Sequence, residues 1–223
     1  MTEGADLLAA LQHGDSFFPG GATAFSWGLE TLAGEDRVAN AEDVRGYVET
    51  QLRGRWATFD RAATIAAYRA AGDLEQVAAI DRLVEAQTLS REMREASRRI
   101  GGALLTVHRR LGTPGADAYA ALDGAPGHGA AVQGLLWHGA GVPEPAADAM
   151  AAHQLCIALL GAALRLGLIG HVEAQAILTD MRPVVAAVLA TDPPALDDMG
   201  AFVPEAEIAA MRHEIQDSRL FGN

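Results

Sequence analysis

The side chains best suited to metal binding or general base catalysis are scattered along this chain. There are seven histidines and one cysteine. The segment HEIQD at 213–217 lacks the second histidine that a zinc-binding H-E-x-x-H helix requires. His128 and His138 share a glycine-rich segment, but their spacing matches no known ligand geometry. Structural or solvent-exposed roles are therefore expected for both.

Nucleophilic catalysis has little support in the pattern. Ser16 and Ser26 lie near His13 and Asp15, but a hydrolase needs a strained turn such as G-x-S-x-G to expose its serine. The local sequence AFSWG is not that turn, and a triad must converge in space rather than in sequence. Cys156 lies in an apolar run and is expected to be a small buried side chain. A single cysteine excludes an intrachain disulfide, which fits a reducing compartment.

The glycine-rich segment PGGATAFSWG is not expected to bind phosphate. A dinucleotide-binding loop follows a strand, whereas here a helix is predicted over 5–13. All 17 basic residues are arginine. Without lysine, the chain has neither a Walker A loop nor a Schiff-base nucleophile.

Composition limits the classes of partner. The formal net charge is −12, and no basic cluster compensates it locally. Nucleic acids and anionic membranes are therefore not expected as partners. The longest apolar run, 155–164, is shorter than the ~20 residues of a membrane span. The chain is predicted to be soluble and cytoplasmic.

Apolar periodicity predicts helices throughout. A helix is predicted from Asn40 to about Ala70, a second after Asp73, and a third from about Thr88 to Leu111 before Gly112. Further helices are predicted over 117–122, 130–137, 144–168 and 172–189, and from Pro204 onward. The helix at 144–168 is apolar nearly all round, so it should be buried. The fold class is therefore all-α, a single-domain helical bundle of about eight to ten helices.

Four segments, in order along the chain, are similar to the UreF family of urease accessory proteins. FFPGGATAFSWGLE resembles the N-terminal motif of the family, and HEIQDSRLFGN resembles its C-terminal signature. TLSREMREASRRIGGALL and LRLGLIGHVEAQAIL are similar to the central helix and to a late helix pair. The chain departs from the family at Ala24, where an aromatic residue is usual, and at Gly222-Asn223, where Arg-Ser often ends the tail.

The resemblance implies that residues 1–223 form a single all-helical UreF-like domain without catalytic activity or a cofactor of its own. UreF-like proteins join UreD (also called UreH) to the GTPase UreG and modulate its GTP hydrolysis. The assembly delivers nickel to the urease apoprotein, so the complex handles nickel and UreG handles GTP. A homodimer is also implied. An arginine acting in trans on the GTPase is a further hypothesis, with Arg94 as one candidate.

The matched motifs supply the candidate partner-binding residues. They come from the N-terminal motif, the central helix and the tail: Phe25, Ser26, Trp27, Gly28, Glu30, Arg94, Glu95, Ser218, Arg219, Leu220 and Phe221. Gly20, Gly21 and Gly28 would let the N-terminal motif fold tightly and display Phe25 and Trp27 as interface anchors. The alternative is that Phe25 and Trp27, together with Phe17, plug one end of the core. The tail would dock either on its own domain or on a partner.

Two other functions remain open at this level. One is a generic helical dimeric adaptor unrelated to urease. The other is a metal-dependent enzyme of unknown reaction, with a pocket lined by His128, His138 and nearby acids.

Overall fold

The computed structural model describes residues 3–20, 25–217 and 219–221, and within these ranges it contains helices and no strands. The helices are α1 (Glu3–Gly14), α2 (Leu29–Gly34), α3 (Ala41–Gln51), α4 (Arg61–Arg69), α5 (Leu74–Gln87), α6 (Arg91–Leu111), α7 (Ala116–Ala120), α8 (Gly129–Gly139), α9 (Glu144–Arg165), α10 (His171–Leu189) and α11 (Pro204–His213). A 3-10 turn at Leu196–Asp198 lies between α10 and α11. The predicted all-α fold is confirmed.

Side-chain caps set several helix starts. Asn40 Oδ1 accepts from the backbone N–H groups of the first turn of α3, and Asp73 Oδ1 accepts from Gln76 N at 3.2 Å at the start of α5. Both caps were expected from the sequence. Helix α6 begins after Ser90 rather than near Thr88, because the Thr88 hydroxyl donates to Val84 O at 2.8 Å and closes α5. The short helix α2 was not predicted.

Helices α3 and α4 form one continuous rod, but its middle differs from the regular helix that the sequence predicts. Residues Leu52–Asp60 are wound as a π-helix. Within this wider segment, Gly54 O accepts from Phe202 N at 2.7 Å and Thr58 O accepts from Gly200 N at 3.1 Å. The carbonyls of the segment thus anchor the chain that leads into α11. Because α3, the π-helix and α4 are one rod, the described residues contain ten separate helices, within the predicted range.

The centre of the bundle is built around α8, which packs against α4, α5 and α6. Leu135, Leu136 and Trp137 of α8 are buried. At the crossing with α4, a Cβ on Gly134 would lie 2.7 Å from Tyr68 N and closer still to Thr64 O. Only glycine fits here, and it lets the two helix backbones approach closely.

A buried ion pair joins α4, α9 and the end of α10. The Arg61 guanidinium donates to both carboxylate oxygens of Asp148 at 2.8–3.0 Å, and to the carbonyls of Val188 and Thr191. Arg61 is 2% exposed. Arginine is usually exposed on a helix surface, but Arg61 is buried because this face of α4 packs against α9 and α10.

Helix α9 is the buried helix predicted from its apolar composition, although it ends at Arg165 rather than near Leu168. Among the described residues it is the one helix long and apolar enough to cross a membrane, but 61% of its most apolar window is buried inside the protein. Cys156 on α9 is buried, as expected, and burial raises the pKa of its thiol to about 11.

Candidate protein-interaction surface

The N-terminal motif folds into a tight turn that leads into α2. Trp27 and Gly28 both have left-handed backbone conformations, with φ of 57° and 88°. A Cβ on Gly28 would lie 2.6 Å from Ala206 O, so this turn packs directly on α11. Ser26 is fully buried, and its hydroxyl accepts from Glu30 N at 3.3 Å. The turn thereby fixes Glu30 at the start of α2, next to α11.

Glu30 holds the C-terminal tail. Its carboxylate accepts from Leu220 N at 2.6 Å and from Phe221 N at 3.1 Å. The same carboxylate lies 3.0 Å from His213 Nε2 at the end of α11. The N-terminal motif and the C-terminal tail therefore meet at one side chain.

A second carboxylate, Glu92 at the start of α6, completes the arrangement. Glu92 Oε2 lies 2.9 Å from His213 Nδ1, and Glu92 Oε1 accepts from Arg219 at 2.9 Å. His213 is fully buried between the two acids. Each ring nitrogen of His213 therefore lies within hydrogen-bond distance of one carboxylate oxygen. We call Glu30, Glu92, His213 and Arg219 the tail network.

Phe221 anchors the tail in the body of the protein. It is 5% exposed and belongs to the core cluster that includes Leu29 and Leu160. The Arg165 guanidinium lies over its ring, 4.1 Å from the centroid, which is a cation–π contact. The tail thus docks on its own domain, one of the two possibilities left open by the sequence.

Exposed apolar side chains lie on α11 and the turn after it, in the α5–α6 turn and in the tail itself. Ile208, Met211 and Ile215 are spaced by three and four residues along α11 and the turn after it, so they share one face. Ile215 and Leu220 are 85% and 62% exposed, and Leu89 is 67% exposed. Leu89 borders the same region, because nearby Arg91 pairs with Glu214 at 3.0 Å. We call Leu89, Ile208, Met211, Ile215 and Leu220 the tail surface.

Comparison with known proteins identifies the family. The UreF family model matches residues 38–182. The chain is a UreF-family protein. It is 34% identical to the urease accessory protein UreF of Trichodesmium erythraeum, covering 98% of this chain and 97% of that protein. It is 33% identical to the UreF proteins of Kocuria rhizophila, with 97% of both chains covered, and of Rhizobium meliloti, with 99% of both chains covered.

The predicted display is wrong for Phe25 and only partly met for Trp27. Phe25 is 3% exposed in the core, with the Arg99 guanidinium 5.4 Å from its ring centroid. Trp27 is half-buried and packs against two core clusters, while Arg55 lies 5.5 Å from its ring centroid. The alternative was that the aromatic side chains fill one end of the core. It holds for Phe25 and in part for Trp27, but not for Phe17, which is 92% exposed. These rings are buried because the left-handed turn at Trp27 and Gly28 folds the motif inward against α11.

The remaining candidate residues on α6 make contacts within the protein. Arg94 donates to the carbonyls of its own α5–α6 turn, Thr88 O at 2.6 Å and Leu89 O at 2.8 Å. Glu95 is exposed and forms an i,i+4 ion pair with Arg91 at 3.6 Å. Ser218 and Gly21 lie outside the described residues. A role in partner binding for any of these residues stays a prediction.

His128 and His138 do not form one site. They lie at opposite ends of α8, about 15 Å apart along the helix axis. His128 is fully buried and its Nε2 lies 2.6 Å from Glu85, whereas His138 is exposed against the edge of the Tyr68 ring. In the described part of the chain, no group of three His, Cys, Asp or Glu side chains is arranged to hold a metal ion.

Sequence reasoning missed Glu92 and His213 as members of the site. His213 was noted in the C-terminal signature and Glu92 on the polar face of α6, but neither was a candidate. No local signal could have identified them, because the contacts of His213 with Glu92 and Glu30 join residues 121 and 183 positions apart in the chain.

Proposed function

We propose that this chain is a non-catalytic adaptor in urease maturation, and that it binds a UreD-type (UreH-type) protein through the tail surface. The observation that supports this most directly is the convergence of the N-terminal motif, α6 and the tail on one network. Five exposed apolar side chains lie on α11, the α5–α6 turn and the tail, beside the elements that carry that network. Exposed apolar residues grouped around a rigid centre are typical of protein interfaces.

Membership of the UreF family supports the wider role. In this proposal the adaptor joins the UreD-type protein to the GTPase UreG, modulates GTP hydrolysis, and takes part in nickel delivery to the urease apoprotein. Nickel is cargo of the assembly and GTP is the substrate of UreG, so the adaptor needs no cofactor of its own. We place the assembly in the cytoplasm and propose a homodimeric adaptor.

Co-expression with UreD-type and UreG-type proteins, followed by size-exclusion chromatography, tests the proposal. Ile215→Glu and Leu220→Glu place charges in the tail surface without touching the core, and each is expected to abolish the complex with the UreD-type protein. Val172→Glu on α10, where Val172 is 83% exposed, is the matched control. Unchanged complex formation by both surface variants would refute the tail surface as the docking site.

Removal of the tail is a stronger but less specific test. Deleting residues 218–223 is expected to keep the helical fold and to abolish binding to the UreD-type protein. Because Phe221 is buried, the deletion should also lower the free energy of unfolding by about 2 kcal/mol. Far-UV circular dichroism and urea unfolding separate the two effects. Wild-type capture of the partner by the truncated chain would contradict the proposal.

Arg94 is the candidate for the effect on GTP hydrolysis. To reach a partner, its guanidinium must leave the carbonyls of Thr88 and Leu89. In an Arg94→Ala mixture with UreG, turnover should fall while binding is preserved. Unchanged turnover would remove Arg94 from this role without affecting the docking proposal.

A further inference from the structure

The C-terminal end of α1 contacts the body of the protein through a pair of buried histidines. His13 in the last turn of α1 is 6% exposed, and His108 in the last turn of α6 is fully buried. Their rings stack with centroids 5.0 Å apart and an angle of 18° between the ring planes. The Phe18 ring packs on both, with centroids 5.0 Å from His13 and 5.4 Å from His108. The proposed adaptor function uses neither histidine.

This stack suits neutral rings rather than charged ones. Nδ1 of His13 and Nε2 of His108 are buried without a hydrogen-bond partner. Both nitrogens of an imidazolium donate, so protonation of either ring would leave a buried N–H without an acceptor. Two imidazolium rings at this separation would also repel each other. The contact between α1 and α6 therefore depends on both rings staying neutral.

The elements packed around the pair supply neutral groups. After α6, the Thr113 hydroxyl lies 2.9 Å from His108 Nδ1. On α9, the Gln154 amide donates to the His13 carbonyl at 2.8 Å. Neither a hydroxyl nor an amide can neutralise a positive charge on the rings.

The charged groups in the neighbouring turns are engaged elsewhere. Asp15 is exposed and accepts a hydrogen bond within its own turn at 2.8 Å. Arg109 pairs with Asp117 at 2.7 Å on the surface. Asp6 lies two turns before His13, about 10 Å away along the axis of α1. The other titratable groups in these turns are exposed, namely Arg110 and His153.

The rings consequently resist protonation while α1 is docked. Burial lowers the pKa of His13 below its ordinary value of 6.5, and burial together with the charge of His13 lowers the pKa of His108 to about 4. No carboxylate of the described residues counteracts burial at either ring. Release of α1 together with Phe18 would return both rings to water. Docking is therefore strongest above pH 6.5 and weakens as the pH falls towards 4.

We propose that the stacked pair of His13 and His108 makes the docking of α1 pH-dependent, so that α1 stays on α6 and α9 while both rings are neutral and is released when they are protonated. The inference goes beyond the adaptor function and does not rest on it. Ala9 and Ala10 of α1 pack on the core cluster that includes Trp56 and Met150. Release of α1 thus uncovers an apolar surface that is covered at neutral pH.

Native-state hydrogen exchange of the α1 amides, corrected for the intrinsic effect of pH, measures the release. For His108 alone, the ratio of released to docked molecules should rise about 30-fold between pH 7.5 and 5. The double variant His13→Gln/His108→Gln should lose this pH dependence, whereas His138→Gln, which changes an exposed histidine on α8, should keep it. Equal α1 protection at both pH values in the wild type, or full pH dependence in the double variant, would overturn the proposal.

The release must also be local to α1. Helix α8 lies at the centre of the bundle, so its amides exchange only when the whole protein unfolds. At each pH the α1 amides should exchange faster than those of α8. Urea at low concentration should accelerate exchange in α8 but hardly in α1, because the opening of one helix exposes little surface. Equal protection of α1 and α8 would show that α1 opens only with the whole protein, which overturns the proposal.

Titration of the imidazoles by NMR gives a readout that needs no variant. In the wild type, the C–H signals of His13 and His108 should both titrate below pH 6.5, over the range in which α1 loses its protection. Titration of both rings at their ordinary value while α1 stays protected would overturn the proposal.

Discussion

Replacing Glu30 with alanine is expected to release the tail while leaving the helical bundle folded. The Glu30 carboxylate is the acceptor for the backbone amides of Leu220 and Phe221, and it is one of two acids beside His213. Alanine removes all three interactions at once. Phe221 then keeps its apolar packing and its cation–π contact with Arg165, and His213 keeps only Glu92.

The magnitude follows from the exposure of each bond. A hydrogen bond to a charged group contributes about 1.5–3 kcal/mol when it is shielded from water. The Phe221 amide is partly buried and counts at the lower end of this range, as does the contact with His213. The Leu220 amide is exposed and counts for little, because water replaces Glu30 there. Because His213 belongs to α11 and not to the tail, only the Phe221 bond counts toward docking, so the docked tail should lose about 1.5 kcal/mol, which raises its open population on the order of 10-fold.

Native-state hydrogen exchange of the Leu220 and Phe221 amides measures this directly. Glu35→Ala is the matched control, because Glu35 directly follows the same short helix and makes only an exposed ion pair with Arg212 at 3.0 Å. Such pairs contribute about 0–1 kcal/mol, so the tail should remain protected in the control. Equal protection of the two amides in wild type and Glu30→Ala would show that the carboxylate does not hold the tail.

Three further predictions concern the body of the protein. Asp148→Ala should lower the free energy of unfolding by about 3–5 kcal/mol in urea titrations, because it leaves the buried Arg61 charge unpaired; a loss below about 1 kcal/mol would contradict this. Gly134→Ala should destabilise the fold by about 1–3 kcal/mol through the clash with α4, whereas Gly102→Ala, where a Cβ meets nothing within 4 Å, should be neutral or stabilising. Burial lowers the pKa of His108 from 6.5 to about 4. Between pH 6.5 and 4, His108 is therefore protonated in the unfolded chain and neutral in the folded chain. Stability should drop by about 3 kcal/mol between pH 6.5 and 4, and this part of the drop should vanish in His108→Gln.

Local sequence signals predicted most of the helices, because their cause is local. The caps at Asn40 and Asp73 act on backbone groups two or three residues away, so the sequence alone reveals them. The π-helix at Leu52–Asp60 is different, since its carbonyls accept hydrogen bonds from Gly200 and Phe202. Contacts that distant leave no periodic trace in the helix itself.

The candidate site was predicted in its parts but not in its assembly. Glu30 and the tail were both named, yet the contact between Glu30 and His213 spans 183 positions and follows only from the complete fold. Residue type alone does not show whether a side chain is buried, and burial decides whether it can contact a partner. Phe25 resembles an interface anchor but fills the core, and Arg61 resembles a surface charge but pairs with Asp148 inside the protein.

The tail network can form only in the folded protein. Its acids come from two early segments and its imidazole from a late one, and each is correctly placed only after the whole bundle has assembled. A partner that binds the tail surface would therefore bind fully folded chains in preference to partly folded ones. If the chain acts as the proposed adaptor, this preference would exclude partly folded copies from the maturation complex.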